Sequence, residues 1–297
     1  MTALGIRLLP TGCDQLGESP VWDARDGSLT WVDTRRRLVR RWTEGQPLRE
    51  WATPADVGSL ALGPSGWLML ALEDGLAWLR LADGRVQPWA GVAHPKPAMR
   101  LNDGRVDREG RFVVGSMVLH RRDPDGALYR LETDGRVSHL VDGFAVSNGT
   151  CFSPDGRTLY AADSLSGRLR TWDYDRAGTL SRERVFAHTE PDGSPPDGAT
   201  VDAEGCVWVA LVLAGRIARY SPQGQLLRTV DLPVPYPTCP CFGGPDLDTL
   251  YVTSIRDSGN ALRSERAEAG ALVEVRGLGV RGLPETLYAG VPAPAMT

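Results

Sequence analysis

Ser147-Asn-Gly-Thr-Cys-Phe-Ser-Pro-Asp-Gly-Arg-Thr-Leu-Tyr-Ala-Ala-Asp163 is the stretch that decides the fold. A short polar opening leads into an apolar, β-rich run, an Asp-Gly turn reverses the chain, and a second β-rich run follows. The same order returns in Glu18 to Asp33, Ser59 to Ala71, Arg100 to Gly115, Pro196 to Ala210 and Thr238 to Thr253. Aligned on their openings, the units begin at 18, 59, 102, 148, 197 and 238, in steps of 41, 43, 46, 49 and 41 residues. That period suits about four short strands per unit, the blade of a propeller.

Local signals agree. Asp26-Gly27, Asp155-Gly156 and Glu204-Gly205 mark hairpins after the first strand of a unit, and Asp83-Gly84 and Asp134-Gly135 mark later turns. Alternation in Leu29 to Asp33 and in Arg168 to Trp172 reads as half-buried strand. No 3.6-residue periodicity is sustained. The expected architecture is all-β: a six-bladed β-propeller with a central metal-binding channel, one domain over residues 1–297. Residues 1–10 and Gly270 to Tyr288 both read as strand, so the N-terminal strand is expected to join the last blade and close the ring.

Composition narrows the function. The chain has 297 residues, 42% apolar and 24% charged, with a net charge of −4. These are values of a globular protein with a sizeable core. The densest basic run, Arg35, Arg36, Arg37, Arg40 and Arg41, is interrupted by Leu38 and Val39 and reads as a solvated strand edge and turn. No nucleic-acid partner is expected. No apolar run is long enough to span a bilayer, and Met1 to Pro10 has no secretory pattern. Five cysteines, an odd number in a chain that needs no staples, fit a reducing cytoplasm. Cys239 and Cys241 form a lone C-x-C and read as small buried residues. The histidines, His94, His120, His139 and His188, lack metal-ligand spacing, and no phosphate loop or Gly-x-Ser-x-Gly elbow is present.

The register carries the functional argument. The first strand of each blade lines the channel of a propeller, so its opening residue points at a shared axis. Those residues are Glu18, Ser59, Asn102, Asn148, Asp197 and Thr238. Two carboxylates and two carboxamides converge, though up to 179 residues separate them. Asn and Asp commonly cap turns. Four in one register favour a ligand site, and oxygen donors suit a hard divalent ion.

Five motifs, Leu16 to Trp22, Arg100 to Gly104, Val146 to Gly149, Pro196 to Gly198 and Phe242 to Gly244, follow one another as in the gluconolactonase–regucalcin family. The chain resembles that family over essentially its whole length. The resemblance implies one divalent metal (Ca, Zn, Mn, Mg or Fe(II)) held by Glu18, Asn148 and Asp197, with Arg100, Asn102 and Asp103 at the substrate. It also implies hydrolysis of a sugar-acid lactone, a small-molecule partner. Asp197 is the natural general base. Relatives carry an acidic residue shortly after a Gly-Thr-Met stretch. Here Gly115-Ser-Met-Val-Leu-His120 puts His120 at that place by counting, which leaves the lactone open between pentono- and hexonolactones. Other readings are a propeller esterase or organophosphate hydrolase using the same metal, and a calcium-binding or scaffold propeller without catalysis. A cytoplasmic monomer or weak homo-oligomer is expected.

Overall fold

The structure is a computed structural model, which describes residues 4–119, 123–189 and 193–292. Among the described residues, twenty-four strands form six four-stranded antiparallel sheets. The chain opens with β1 (Gly5–Cys13). Blade one is β2 (Gly17–Asp23), β3 (Ser28–Asp33), β4 (Leu38–Thr43) and β5 (Arg49–Ala52). Blade two is β6 (Ser59–Leu62), β7 (Trp67–Ala71), β8 (Gly75–Arg80) and β9 (Val86–Gly91). Blade three is β10 (Met99–Val106), β11 (Phe112–Val118), β12 (Gly126–Leu131) and β13 (Val137–Phe144). Blade four is β14 (Ser147–Phe152), β15 (Thr158–Asp163), β16 (Arg168–Tyr174) and β17 (Leu180–His188). Blade five is β18 (Pro196–Val201), β19 (Val207–Leu211), β20 (Arg216–Tyr220) and β21 (Leu226–Asp231). Blade six is β22 (Pro237–Gly243), β23 (Thr249–Ser254) and β24 (Ala271–Arg276), with β1 as its outer strand. Each turn glycine read from the sequence joins the strands expected; Gly156, for one, sits at φ 70° between β14 and β15. The architecture is a six-bladed β-propeller.

The apolar residues gather into one core per interface between neighbouring blades. Period-two alternation assigns each side of a strand to a different neighbour. In β7, Leu68 and Leu70 pack toward blade one, while Met69 and Ala71 pack toward blade three. In β3, Leu29 and Trp31 face blade six, whereas Val32 faces blade two. The reading of Leu29 to Asp33 as half-buried is therefore corrected: every residue of β3 is buried, because the alternation separates two cores rather than core from water. Arg35, Arg36 and Arg37 form an exposed turn after β3, as read, but the strand part of the arginine run is corrected. Arg40 and Arg41 are only 4% and 7% exposed. Arg40 donates from Nη1 to Asp14 Oδ1 at 2.5 Å and from Nε to Glu50 at 2.8 Å, so a carboxylate just past β1 and another on β5 hold it.

β1 pairs antiparallel with β24, Ile6 opposite Val275 and Leu8 opposite Val273, and closes the ring. The end segment departs from the strand reading. Pairing stops at Arg276, because Gly277 and Gly279 take φ of 81° and 77° and turn the chain out of the sheet. Residues 277–292 then cross the face of the propeller opposite the strand openings. Gly282 N donates to Leu247 O in blade six at 2.7 Å, and Arg281 O accepts from Ala203 N in blade five at 2.8 Å. Tyr288 N donates to Leu62 O in blade two at 2.8 Å, and Ala289 N to Gly110 O in blade three at 2.9 Å. Tyr288 is 1% exposed, its ring 5.4 Å from that of Trp78, and its hydroxyl donates to Glu132 O at 2.7 Å. Glu285 points inward and accepts from Arg105 Nη1 at 2.7 Å. This segment is the floor of the channel.

Candidate metal and substrate site in the channel

The six opening residues all fall on the innermost strands, as the repeat register requires. A local irregularity aims them. In five blades the pairing between first and second strands slips at the opening: between Glu18 and Val21, Leu101 and Gly104, Asn148 and Cys151, Pro196 and Ala199, and Pro237 and Pro240. Such bulges bend a strand and redirect its side chains. Ser19 and Gly149, which follow Glu18 and Asn148, sit at φ 50° and 62°. The strain at Ser19 is offset where its Oγ accepts from Leu60 N of the next blade at 3.0 Å. Blade two pairs without a slip, and its Ser59 donates to Asn102 O at 2.6 Å. Thr238 likewise donates to Gly17 O at 2.5 Å. These two openings tie inner strands together and leave the other four to the channel.

Asn102 and Asn148 lie within a continuous polar network that reaches the residue before Asp197. Arg100 donates from Nη1 to Leu101 O at 2.8 Å and to Asn102 Oδ1 at 2.7 Å. Asn102 Nδ2 donates to Asn148 Oδ1 at 2.9 Å and to Ser147 O at 2.8 Å. Asn148 Nδ2 donates to Ser164 Oγ at 2.8 Å, and Ser164 donates to Pro196 O at 2.7 Å. The chain of donors thus runs from β10 through β14 to the residue before Asp197. Arg100, Asn102, Asn148 and Asp197 are each between 5% and 8% exposed. Glu18 keeps a solvent-facing edge but sits deep in the channel among packed atoms.

The electrostatics are those of a site short of positive charge. Burial pushes the Glu18 carboxyl well above the usual carboxylate range, and repulsion from Asp197 and Asp103 adds to it against the pull of Arg100. Asp197 is pushed up to about 8, first by burial and then by Asp103, with the Gly198 amide and Arg100 opposing. Burial also raises Asp103, whose Oδ2 accepts from Thr150 N at 2.7 Å. Arg105, below Asp103, is shared with Glu285. Three carboxylates near the axis therefore share Arg100, which also feels Asp56 and Glu73, and Arg105, which is already paired with Glu285. Two carboxylates and a carboxamide oxygen are hard donors, and a divalent cation would supply the charge they lack.

His120 lies outside the described residues. His94 bonds Glu73 O at 2.9 Å, His139 bonds Asp142 at 2.7 Å on an outer strand, and His188 ends the outer strand β17. All five cysteines are free thiols, and Cys239 and Cys241 are 1% and 0% exposed, as small core residues should be. Asp202, Glu204 and Cys206 bring ligand atoms within 4.8 Å of one another in the β18–β19 turn. Asp202 is already spent there, however. Its Oδ1 accepts from Glu204 N and Cys206 N, and its Oδ2 from Trp208 Nε1 and Arg219 Nε. Sequence reasoning passed over Ser164 and the Arg105–Glu285 pair. Ser164 follows the second strand of its repeat and carries no charge. Glu285 lies in a segment read as strand.

Known proteins share this architecture. The SMP-30/gluconolactonase/LRE-like family model matches residues 16–256. Regucalcin of Xenopus laevis is 36% identical over 299 residues, covering 98% of this chain and all of that one. The crystal structure of regucalcin from Agrobacterium tumefaciens, described as a calcium-binding protein, superposes with a TM-score of 0.89 at 29% identity, covering 96% of this chain and 97% of that one. A luciferin-regenerating enzyme superposes with a TM-score of 0.87 at 29% identity, covering 96% and 99% of the two chains. With its repeat, its ring closure and its polar channel in agreement with that match, the chain belongs to the SMP-30/gluconolactonase family.

Proposed function

We propose that the protein is a metal-dependent lactonase that hydrolyses a sugar-acid lactone to the free acid, with Glu18, Asn148 and Asp197 holding one divalent ion. The observation that carries this reading is the convergence of the Glu18 and Asp197 carboxylates and the Asn102 and Asn148 carboxamides on one end of the channel, beside Arg100. Family membership supports a lactonase-type activity.

When bound, a divalent ion polarises an ester carbonyl and lowers the pKa of water. The chain's own residues do the rest. Glu18 supplies charge, and Asn148 supplies a neutral oxygen. Asp197 accepts a proton from the attacking water at its carboxylate. The protein contacts of Arg100 run through Nη1, so Nε and Nη2 can bind lactone oxygens. Asn102 and Asp103 hold sugar hydroxyls, and His120 contacts the variable part of the ring.

The test is a pH-stat assay on pentono- and hexonolactones with chelated and reconstituted protein. Chelation should abolish turnover, and Ca²⁺, Mn²⁺ or Zn²⁺ should restore it; Asp197→Ala should stay inactive with every ion. Full activity in the stripped variant would overturn the reading. A second reading, calcium binding without catalysis, is favoured by one observation, the close superposition on a protein described as calcium-binding. It would show as ion binding with no turnover on any lactone, aryl ester or phosphotriester.

A further inference from the structure

We propose that Ser164 is a positioning residue that fixes which end of the Asn148 carboxamide faces the channel; this rests on the metal reading given above. An Asn side chain has two nearly isosteric ends, an acceptor oxygen and a donor NH₂, and only the oxygen can bind a cation. The surroundings must choose between them. The choice follows from the two ends of the hydrogen-bonded chain. At one end Arg100 can only donate, so Asn102 must turn its oxygen to it, at 2.7 Å. At the other end the Pro196 carbonyl can only accept, so Ser164 must spend its single proton there, at 2.7 Å. The Ser164 oxygen then has only lone pairs to offer, and Asn148 must present its NH₂ to it, at 2.8 Å.

The consequence is a carboxamide whose polarity is set from both sides. Asn102 Nδ2 points a hydrogen at Asn148 Oδ1, at 2.9 Å, and Ser164 draws the NH₂ the other way. Asn148 Oδ1 has two lone pairs, and Asn102 uses one. Ser164 also joins the strand of Asn148 to the backbone just before Asp197, so one hydroxyl relates two of the three donors. Its own place is fixed by its amide, which donates to Val146 O at 3.1 Å. Without the hydroxyl, the NH₂ of Asn148 has no acceptor on that side and the two orientations become closer in energy.

The test compares wild type, Ser164→Ala and Ser164→Thr by calorimetric titration of chelated protein with Ca²⁺ and Mn²⁺, beside the melting temperature in chelator. Loss of a residue that orients a metal ligand commonly weakens affinity about 10- to 100-fold. We expect Ser164→Ala to bind both ions at least about 10-fold more weakly, to melt near wild type when stripped, and Ser164→Thr to restore affinity. Should Ser164→Ala not fold, Ser164→Cys, close in size with a poor acceptor, takes its place. Wild-type affinity in the Ala or Cys variant overturns the inference, and so does a Thr variant as weak as Ala. A wild-type protein that binds neither ion overturns the metal reading itself, a result distinguishable from failure at Ser164 alone.

Discussion

At the scale of single residues, the buried carboxyl of Asp197 couples folding to proton uptake, and the proposed ion would compete with that proton. In the unfolded chain Asp197 titrates near 3.8, and in the folded, metal-free protein near 8. The folded state therefore holds a proton that the unfolded state has released across that window. Its contribution to stability is complete below the lower value and is lost as pH rises through the upper one. Glu18 shifts the same way. The stripped protein should accordingly lose melting temperature between about pH 5 and pH 8. Saturating Ca²⁺ should flatten or reverse the trend, because the ion displaces those protons. Scanning calorimetry across that range, with and without chelator, checks this, and Asp197→Asn should show a shallower dependence. The charged members of the site were legible in the sequence because carboxylates at equivalent repeat positions stand out. Ser164 was not, because a serine after a strand looks like any other turn residue until the acceptor beyond it is known.

At the scale of elements, the bulged first strands do the aiming, and their close packing leaves no slack. Gly198, beside Asp197, shows this: a Cβ there would lie 2.4 Å from Cys239 Sγ and 2.9 Å from Cys239 Cα on the neighbouring inner strand. Gly198→Ala should push β18 and β22 apart. It should cost about 1–3 kcal/mol of stability, typical of overpacking, and should weaken Ca²⁺ binding by moving Asp197. Chemical denaturation and metal titration of the same variant read both effects. Strands and turns were legible because Asp-Gly pairs and alternation are local signals. The slips were not, since a bulge depends on which residues of the partner strand it faces. The two-sided burial of β3 also needed the neighbouring blades in view.

At the scale of the whole molecule, the ring is held by two crossings that the repeat does not contain. One is β1 in the last blade, which the sequence suggested because an unpaired strand stood at its start. The other is the segment 277–292, bonded to blades six, five, two and three. It was misread because its glycines and Pro284 form no pattern of their own. Tyr288 is its anchor, a buried ring with its hydroxyl bonded to Glu132 O. Tyr288→Ala should cost about 3–5 kcal/mol, as truncation of a buried aromatic does. Tyr288→Phe should cost about 1 kcal/mol for the lost hydrogen bond. Urea melts of the two variants give the comparison, and equal losses would mean that the ring contributes nothing beyond its hydroxyl.

The pairing of Ile6 with Val275 also sets a timetable. A ribosome adds about 5–20 residues each second, so the first strand waits on the order of tens of seconds for its partner to be made. Through that interval blade one presents Leu29 and Trp31, destined for the interface with blade six, to solvent or to a chaperone. A nascent chain halted before residue 271 has five complete blades and an open seam. In pulse-labelled translation such chains should be captured by holdase chaperones and cut by protease, and chains carried past residue 292 should resist both.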